Sequence, residues 1–236
     1  MAITLTIGEL VDRFPDFKVA VIIADGLSIP TERSVELDAD IAAREADCRA
    51  AHAGTDLSAI PGVAAWRSAY KGFGIKKTSY RSSVERLIKR VLAGERLPSI
   101  NAFVDAYNAV SLSHGFCVGA DDLDRIAPPV AFRYARDGDT FLDMGAEVGE
   151  DPNDPPKEGE VVLADSRHVL CRRWNWRQDM RSAITPVTRR ALITVQANGW
   201  GSLAPAVTDL TDLLTRFCGG SCVSAVASAD QPTITL

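Results

Sequence analysis

Leu97-Pro98-Ser99-Ile100-Asn101-Ala102-Phe103-Val104-Asp105-Ala106-Tyr107-Asn108 is the stretch around which the chain can be ordered, with Gly119-Ala120-Asp121-Asp122-Leu123-Asp124 downstream of it. Pro98 suits the first turn of a helix, where its missing N–H costs nothing. Ile100, Phe103, Val104, Tyr107 and Val110 recur at helical spacing and define one apolar face. Asn101, Asp105 and Asn108 fall three or four apart and make a polar stripe beside it. Asn and Asp are mediocre helix formers, because their short side chains compete for backbone groups. Such a stripe either bonds nearby loop backbone or serves a site, and pattern alone leaves both open. The 119–124 run reads as a turn closing this unit.

Working outward, Lys18-Val19-Ala20-Val21-Ile22-Ile23-Ala24 is a β-branched apolar run closed by Asp25-Gly26, which predicts a buried strand. A long helix is expected from Pro30-Thr31-Glu32 to about Ala51. Ile60-Pro61-Gly62 breaks the chain before a helix whose Val63, Trp66, Ala69 and Tyr70 share a core-facing side. Ser82-Ser83-Val84-Glu85 has the pattern of a capping box. It heads an amphipathic helix with Val84, Leu87, Ile88, Val91 and Leu92 inward, Arg81, Arg86, Lys89 and Arg90 outward or beside, and Gly94 at its end.

Downstream, strands are expected at 130–135, 161–165, 192–197 and 222–226, and a helix from Val207 to Phe217. Residues 149–160, rich in Pro, Gly and acids, read as a surface loop. Several strands are separated by turns too short for crossovers, so the fold expected is α+β, a mixed or antiparallel sheet packed with helices, in a single domain over 1–236.

The 236 residues suffice for a full core, and no apolar run approaches bilayer length. The N-terminus lacks the basic start and apolar core of a secretory signal. Five cysteines are scattered, with no histidine near the Cys218/Cys222 pair. No metal and no cofactor are therefore expected, and reduced thiols suit a cytoplasmic protein. The net charge of −5 hides an asymmetry, since residues 71–96 and 167–190 each carry a local balance of +6. Two basic segments in an acidic chain mark either a confined surface for a polyanion or two solvated faces.

No nucleophile elbow, P-loop, dinucleotide fingerprint or zinc-protease motif is present. His52, His114 and His168 lie in different blocks without motifs around them. The most unusual segment is 172–178, RRWNWRQ. If extended, it would put Trp174 and Trp176 on one side, where Arg and Trp together could grip a phosphate and stack on a base. Two core tryptophans with solvated arginines is the alternative.

The run IN-A-FVDAYN, with Gly119-ADDLD eleven positions beyond Asn108, resembles the editing domain of the phenylalanyl-tRNA synthetase β subunit, the B3/B4 domain, and resembles small standalone proteins built from it more closely still. WRSAYKGFG at 66–74, GEVVLAD at 159–165 and CRRWNWRQ at 171–178 support this, as does the Arg81-Ser82-Ser83 block that precedes the editing pocket in related proteins. The resemblance implies a trans-editing hydrolase that cleaves the ester of a mischarged tRNA with a positioned water and no protein nucleophile. Asn108 matches the family asparagine at the substrate end of the tRNA, and Asp105 the aspartate in the same helix. Tyr107 stands where the synthetase has threonine, Gly119 where it has histidine, and Gln196 where it has a tyrosine-sensing glutamate.

The reading assigns Asn108, Asn175 and Gln178 to catalysis. Tyr107, Asp105, Gly119, Asp122, Asp165, Trp174, Trp176 and Gln196 are assigned to substrate, and Lys76, Lys77, Arg81, Arg172, Arg173 and Arg177 to tRNA. The expected partner is tRNA, with neither DNA nor membrane, and the expected state a monomer. The changed tyrosine-sensing positions, with acids at Asp122, Asp124 and Asp165, favour canavanyl-tRNA(Arg) over tyrosyl-tRNA(Phe). A non-catalytic module for aminoacyl-tRNA or amino acid, and a small-ester hydrolase, are the rivals.

Overall fold

The computed structural model describes residues 2–75 and 80–236. Strands β1 (Thr4–Thr6) and β2 (Phe17–Asp25) precede the helices α1 (Val35–Ala51), α2 (Pro61–Gly72), α3 (Ser83–Leu92) and α4 (Ala102–His114). Next come β3 (Cys117–Asp122), β4 (Val130–Tyr134), β5 (Val161–Ala164), β6 (Val169–Arg172), β7 (Arg177–Gln178) and β8 (Arg190–Asn198). Helix α5 (Leu203–Cys218) and strands β9 (Ser221–Ala227) and β10 (Thr233–Thr235) follow. No helix among the described residues is long and apolar enough to cross a membrane.

The strands form two sheets. One has six strands in the order β10-β1-β4-β5-β6-β7, with β1 and β4 parallel and its other pairs antiparallel. The other has the order β3-β8-β2-β9 and is antiparallel throughout. This is the α+β architecture with mixed pairing that the short connections predict. The apolar run at 18–24 lies inside β2, paired on both edges, and it alternates so little because both faces of the strand are buried over Val19–Ile22. A continuous apolar cluster joins the sheets, from Leu5 and Phe132 in one through Phe17 and Ile22 in the other to Trp66 and Phe103 on the helices.

Capping explains where the helices depart from expectation. Helix α1 starts at Val35 rather than near Thr31, because the Ser34 hydroxyl accepts the Leu37 N–H at 3.1 Å. Pro61 is the first residue of α2 rather than a break before it. Ser82 caps α3 by accepting the Glu85 N–H, but the Glu85 carboxylate does not close the box; it pairs with Arg67 and Arg81 instead. Helix α5 begins at Leu203, a turn before the expected Val207.

The organising helix is corrected most. Pro98 lies outside it, and Asn101 is its N-cap, accepting the Val104 N–H at 3.0 Å. Asp105 is buried; its Oδ1 accepts the Ile100 N–H and its Oδ2 the Arg33 guanidinium at 2.7 Å. Of the three stripe residues, Asn101 thus caps the helix and Asp105 holds the loop before it. Gly115 ends α4 with φ 72°, and a Cβ there would fall 2.9 Å from the Trp200 ring.

Two further expectations change. Residues 119–122 are strand, the last four of the six residues of β3, and only beyond Asp122 does the chain turn. The 172–178 segment is a hairpin rather than an extended run. Arg172 pairs with Arg177, and Arg173 (φ 46°) and Trp174 (φ 67°) make the tight turn. Left-handed backbone costs a non-glycine residue about 1–2 kcal/mol. Trp174 offsets this by full burial, with its ring edge-to-face against Phe14, Phe17 and Trp66. Burying an aromatic side chain removes about 150–250 Å² from water, on the order of 4–6 kcal/mol. The core therefore dictates the turn.

Candidate functional site

A cavity of about 700 Å³ is lined from both sheets and from α3 and α4. Its deepest polar groups come from β3 and β8, which pair so that Gly119 faces Thr194 and Cys117 faces Gln196. Since side chains alternate along a strand, Gly119 and Asp121 share one face with Thr194 and Gln196. Helix α4 adds Val104, Tyr107 and Asn108 at i, i+3 and i+4. The β6–β7 hairpin adds Cys171, Asn175, Trp176, Arg177 and Gln178. The exposed side of α3 supplies Arg86, Lys89 and Arg90, with Arg81 just before it.

A buried hydrogen-bond chain orders the deep end. Tyr70 Oη donates to Asn175 Oδ1 at 2.9 Å, Asn175 Nδ2 to Gln196 Oε1 at 3.1 Å, and Gln196 Nε2 to Thr194 Oγ1 at 3.0 Å. The amides are thereby oriented, and Thr194 keeps its own proton to donate. The Arg173-Trp174 turn makes this possible: with Trp174 sunk in the core, Asn175 reaches Tyr70 and its carbonyl receives the Ser83 N–H. Gln178 Nε2 donates to Asp121 Oδ1 at 3.0 Å and to the Ala120 carbonyl, which leaves its Oε1 unclaimed. Neither the Asn108 amide nor the Tyr107 hydroxyl has a hydrogen-bond partner among the described residues.

Burial pushes the Asp121 carboxyl up to about 7, despite hydrogen bonds from Ser182 and Gln178 that favour its ionised form. Burial also raises the Tyr107 phenol, and burial followed by the neighbouring Asp121 raises the Cys171 thiol. Cys171 is thus held as the thiol, the unreactive form. Arg86, which lines the cavity from α3, is held below the usual guanidinium range, first by partial desolvation and then by the charge of Arg177. Trp176 carries the Arg173 and Arg177 guanidiniums 4.4 and 5.0 Å from its ring centroid. Arg177 passes close over Gly145, and a Cβ there, 1.5 Å from Nη1, would make the guanidinium move.

The structure therefore brings together Asn108, Asn175, Gln178, Tyr107, Gly119, Trp176, Gln196, Arg81 and Arg177. It places the others elsewhere. Asp105 is spent on Arg33 and the loop before α4. Asp122 accepts from Thr188 and the Asp124 N–H, and Asp165 accepts three backbone N–H groups, from Ala127, Arg167 and His168. Trp174 is core. Arg172 is fully buried against Glu160 and Asp154, and Arg173 is paired with Glu160, so neither is presented to a phosphate. Lys76 and Lys77 lie outside the described residues. His114 is held by Asp209 at 2.8 Å, away from the cavity.

Sequence reasoning did not single out Thr194 or Asp121. A signal existed for Thr194: Thr194 and Gln196 are polar at i and i+2 in an otherwise apolar strand. For Asp121 the acidic run 121–124 hid which acid faces inward, and strand alternation with Gly119 settles it.

A profile of the B3/4 domain family matches residues 65–219, a span that contains every residue lining the cavity. A search of curated proteins finds no match. Fourteen chains of solved structures match. One is an N-terminal fragment of the phenylalanyl-tRNA synthetase β subunit from Pyrococcus horikoshii, 15% identical with a TM-score of 0.47, covering 95% of this chain and 54% of that one. The chain spans about half the length of that fragment.

Proposed function

The chain belongs to the B3/4 domain family, and on that premise we propose that it is a trans-editing aminoacyl-tRNA deacylase. The observation that carries this reading is the polarity of the cavity. Hydrogen-bonding groups with capacity to spare, Asn108, Tyr107, the Thr194 hydroxyl proton and Gln178 Oε1, line it from α4, β8 and β7, and Arg86, Lys89 and Arg90 line it from α3. An aminoacyl ester on a nucleotide has the matching form, a compact polar acyl group joined to phosphates.

In the proposed reaction, water adds to the ester carbonyl carbon and the bond from that carbon to the ribose oxygen breaks. The water's proton ends on the ribose hydroxyl, releasing amino acid and tRNA. Gln178 Oε1 orients the water, and the Asn108 amide and Thr194 hydroxyl donate to the carbonyl oxygen as charge develops there. Asn175, whose amide is occupied by Tyr70 and Gln196, acts as a positioning residue. Arg86 and Lys89, which meet no carboxylate among the described residues, receive phosphates, with Arg81, Arg90 and Arg177, each already paired with one carboxylate, beside them. The chemistry relies on orientation, in keeping with a cavity whose one thiol, Cys171, is held protonated.

Canavanyl-tRNA(Arg) is the first substrate to test, since Tyr107, Gly119 and Gln196 replace the tyrosine-sensing pattern of the synthetase. A panel of mischarged tRNAs tests the reading. Release of amino acid from canavanyl-tRNA(Arg) faster than from arginyl-tRNA(Arg) or tyrosyl-tRNA(Phe) is expected. Fastest cleavage of tyrosyl-tRNA(Phe) overturns the substrate, and tight binding without release from any tRNA favours a binding module, to which Gly119 in the histidine position also points.

A further inference from the structure

The buried carboxylates of this protein have one exception among them. Glu45 is paired with Arg96, Glu85 with Arg67 and Arg81, Asp105 with Arg33, Glu160 with Arg172 and Arg173, and Asp179 with Arg181. Asp122 and Asp165 receive backbone N–H groups. Asp121 is 4% exposed and has neither. Its described partners are the Ser182 hydroxyl at 2.7 Å and the Gln178 amide at 3.0 Å, both on Oδ1. No Lys, Arg or His among the described residues comes within ion-pair distance.

A carboxylate taken out of water without a counter-charge is costly, by several kcal/mol in general, unless it is protonated or a cation is brought to it. The groups facing Asp121 add to this cost. Tyr107 from α4 and Cys171 from β6 are neutral, while Asp179 beyond β7 and Asp165 beyond β5 add negative potential. The cations of the cavity sit on α3 and at Arg177. Asp121 lines the cavity itself, so a ligand can supply the missing charge.

We propose that Asp121 is the receptor for a cationic nitrogen of the bound amino acid, its α-ammonium or a positively charged side chain. The cavity would then be read from both ends: a cation of the amino acid at Asp121, and phosphate at α3. The identity of the ligand rests on the deacylase reading, but the charge recognition can be measured without tRNA.

The test is calorimetric titration of the whole chain with four small ligands. N-acetyl-arginine amide carries only the side-chain cation, norleucine methyl ester only the ammonium, arginine methyl ester both, and N-acetyl-norleucine amide neither. At least one singly charged ligand is expected to bind and the neutral one not to; which one binds identifies the source of the charge. Asp121→Asn, which keeps an acceptor for Ser182, should weaken that binding by about 10- to 100-fold, the range for losing a charged hydrogen bond. Near pH 6, binding to the unaltered chain should release a proton, seen as a dependence of the heat on buffer, and Asp121→Asn should abolish it. Equal affinity of both proteins, equal binding of the neutral ligand, or no binding of any ligand at millimolar concentration overturns the proposal. Binding through Asp121 with no deacylation of any tRNA would leave it standing and sink the deacylase reading. Undiminished deacylation by a folded Asp121→Asn would do the reverse.

Discussion

The two sides of the β6–β7 hairpin treat charge in opposite ways. Behind it, Arg172 and Arg173 converge on Glu160, and Arg172 also meets Asp154, so that opposite charges are matched within the protein. In front of it, Asp121 has no counter-charge and Arg86 no carboxylate among the described residues, Arg86 donating to the Trp176 carbonyl. Matched charge belongs to the architecture, whereas unmatched charge around a cavity is held ready for something from outside. The two basic segments look alike in sequence, each with a balance of +6. Within the first, Arg81, Arg90 and Arg96 are matched by Glu85, Glu95, Asp38 and Glu45, so Arg86 and Lys89 are what distinguish it, the cavity-lining cations that meet no carboxylate among the described residues.

The largest effect should come from the matched side. Arg172→Ala leaves Glu160 buried with only Arg173, and breaking a buried pair costs about 3–5 kcal/mol. Denaturant unfolding should show that loss. A protein of unchanged stability but weakened tRNA binding would break the comparison.

Asp121 should behave as an uncompensated acid in stability as well. Its carboxyl rises from an ordinary 3.8 to about 7 in the fold, so the stability gained by keeping it protonated is complete below about pH 3.8 and is lost as pH rises through about 7. Thermal unfolding of Asp121→Asn should therefore gain on the unaltered chain between those limits, and a bound cationic ligand should close the gap at neutral pH. Parallel curves at all pH values would place a cation beside Asp121 after all.

Asn108→Ala removes a group that nothing in the described fold uses, so the protein should fold normally and deacylate about 10²-fold more slowly, the scale for one oxyanion donor. Single-turnover assays beside a melting curve separate the two readouts. Full activity would remove Asn108 from the site. The gentlest perturbation is charge reversal on α3. Lys89→Glu with Arg90→Glu should weaken tRNA binding and lower its salt slope by roughly one for each phosphate no longer neutralised. Arg181→Glu, in the other segment and already spent on Asp179, should leave that slope alone.

Much of the scaffold is legible in the chain because its signals are local. The β-branched run of β2, the inward face of α3, the Ser82 cap and the core positions of Trp66 and Tyr70 follow from periodicity and capping over a few residues. The family motif likewise leads to Asn108, Gln178 and Gln196, which do share the cavity. What local pattern could not decide is where each charge goes. Asp105 meets Arg33 from 72 positions away, and Asn175 reaches Tyr70 across 105. The left-handed turn at Arg173-Trp174 exists because the distant rings of Phe14, Phe17 and Trp66 make burial of Trp174 worth the backbone cost. Asp121 and Asp122 are neighbours in sequence, yet strand alternation sends one toward the cavity and the other to Thr188. A side chain's ionic role depends on which charges tertiary packing brings to it, and these come from elements far apart in the chain.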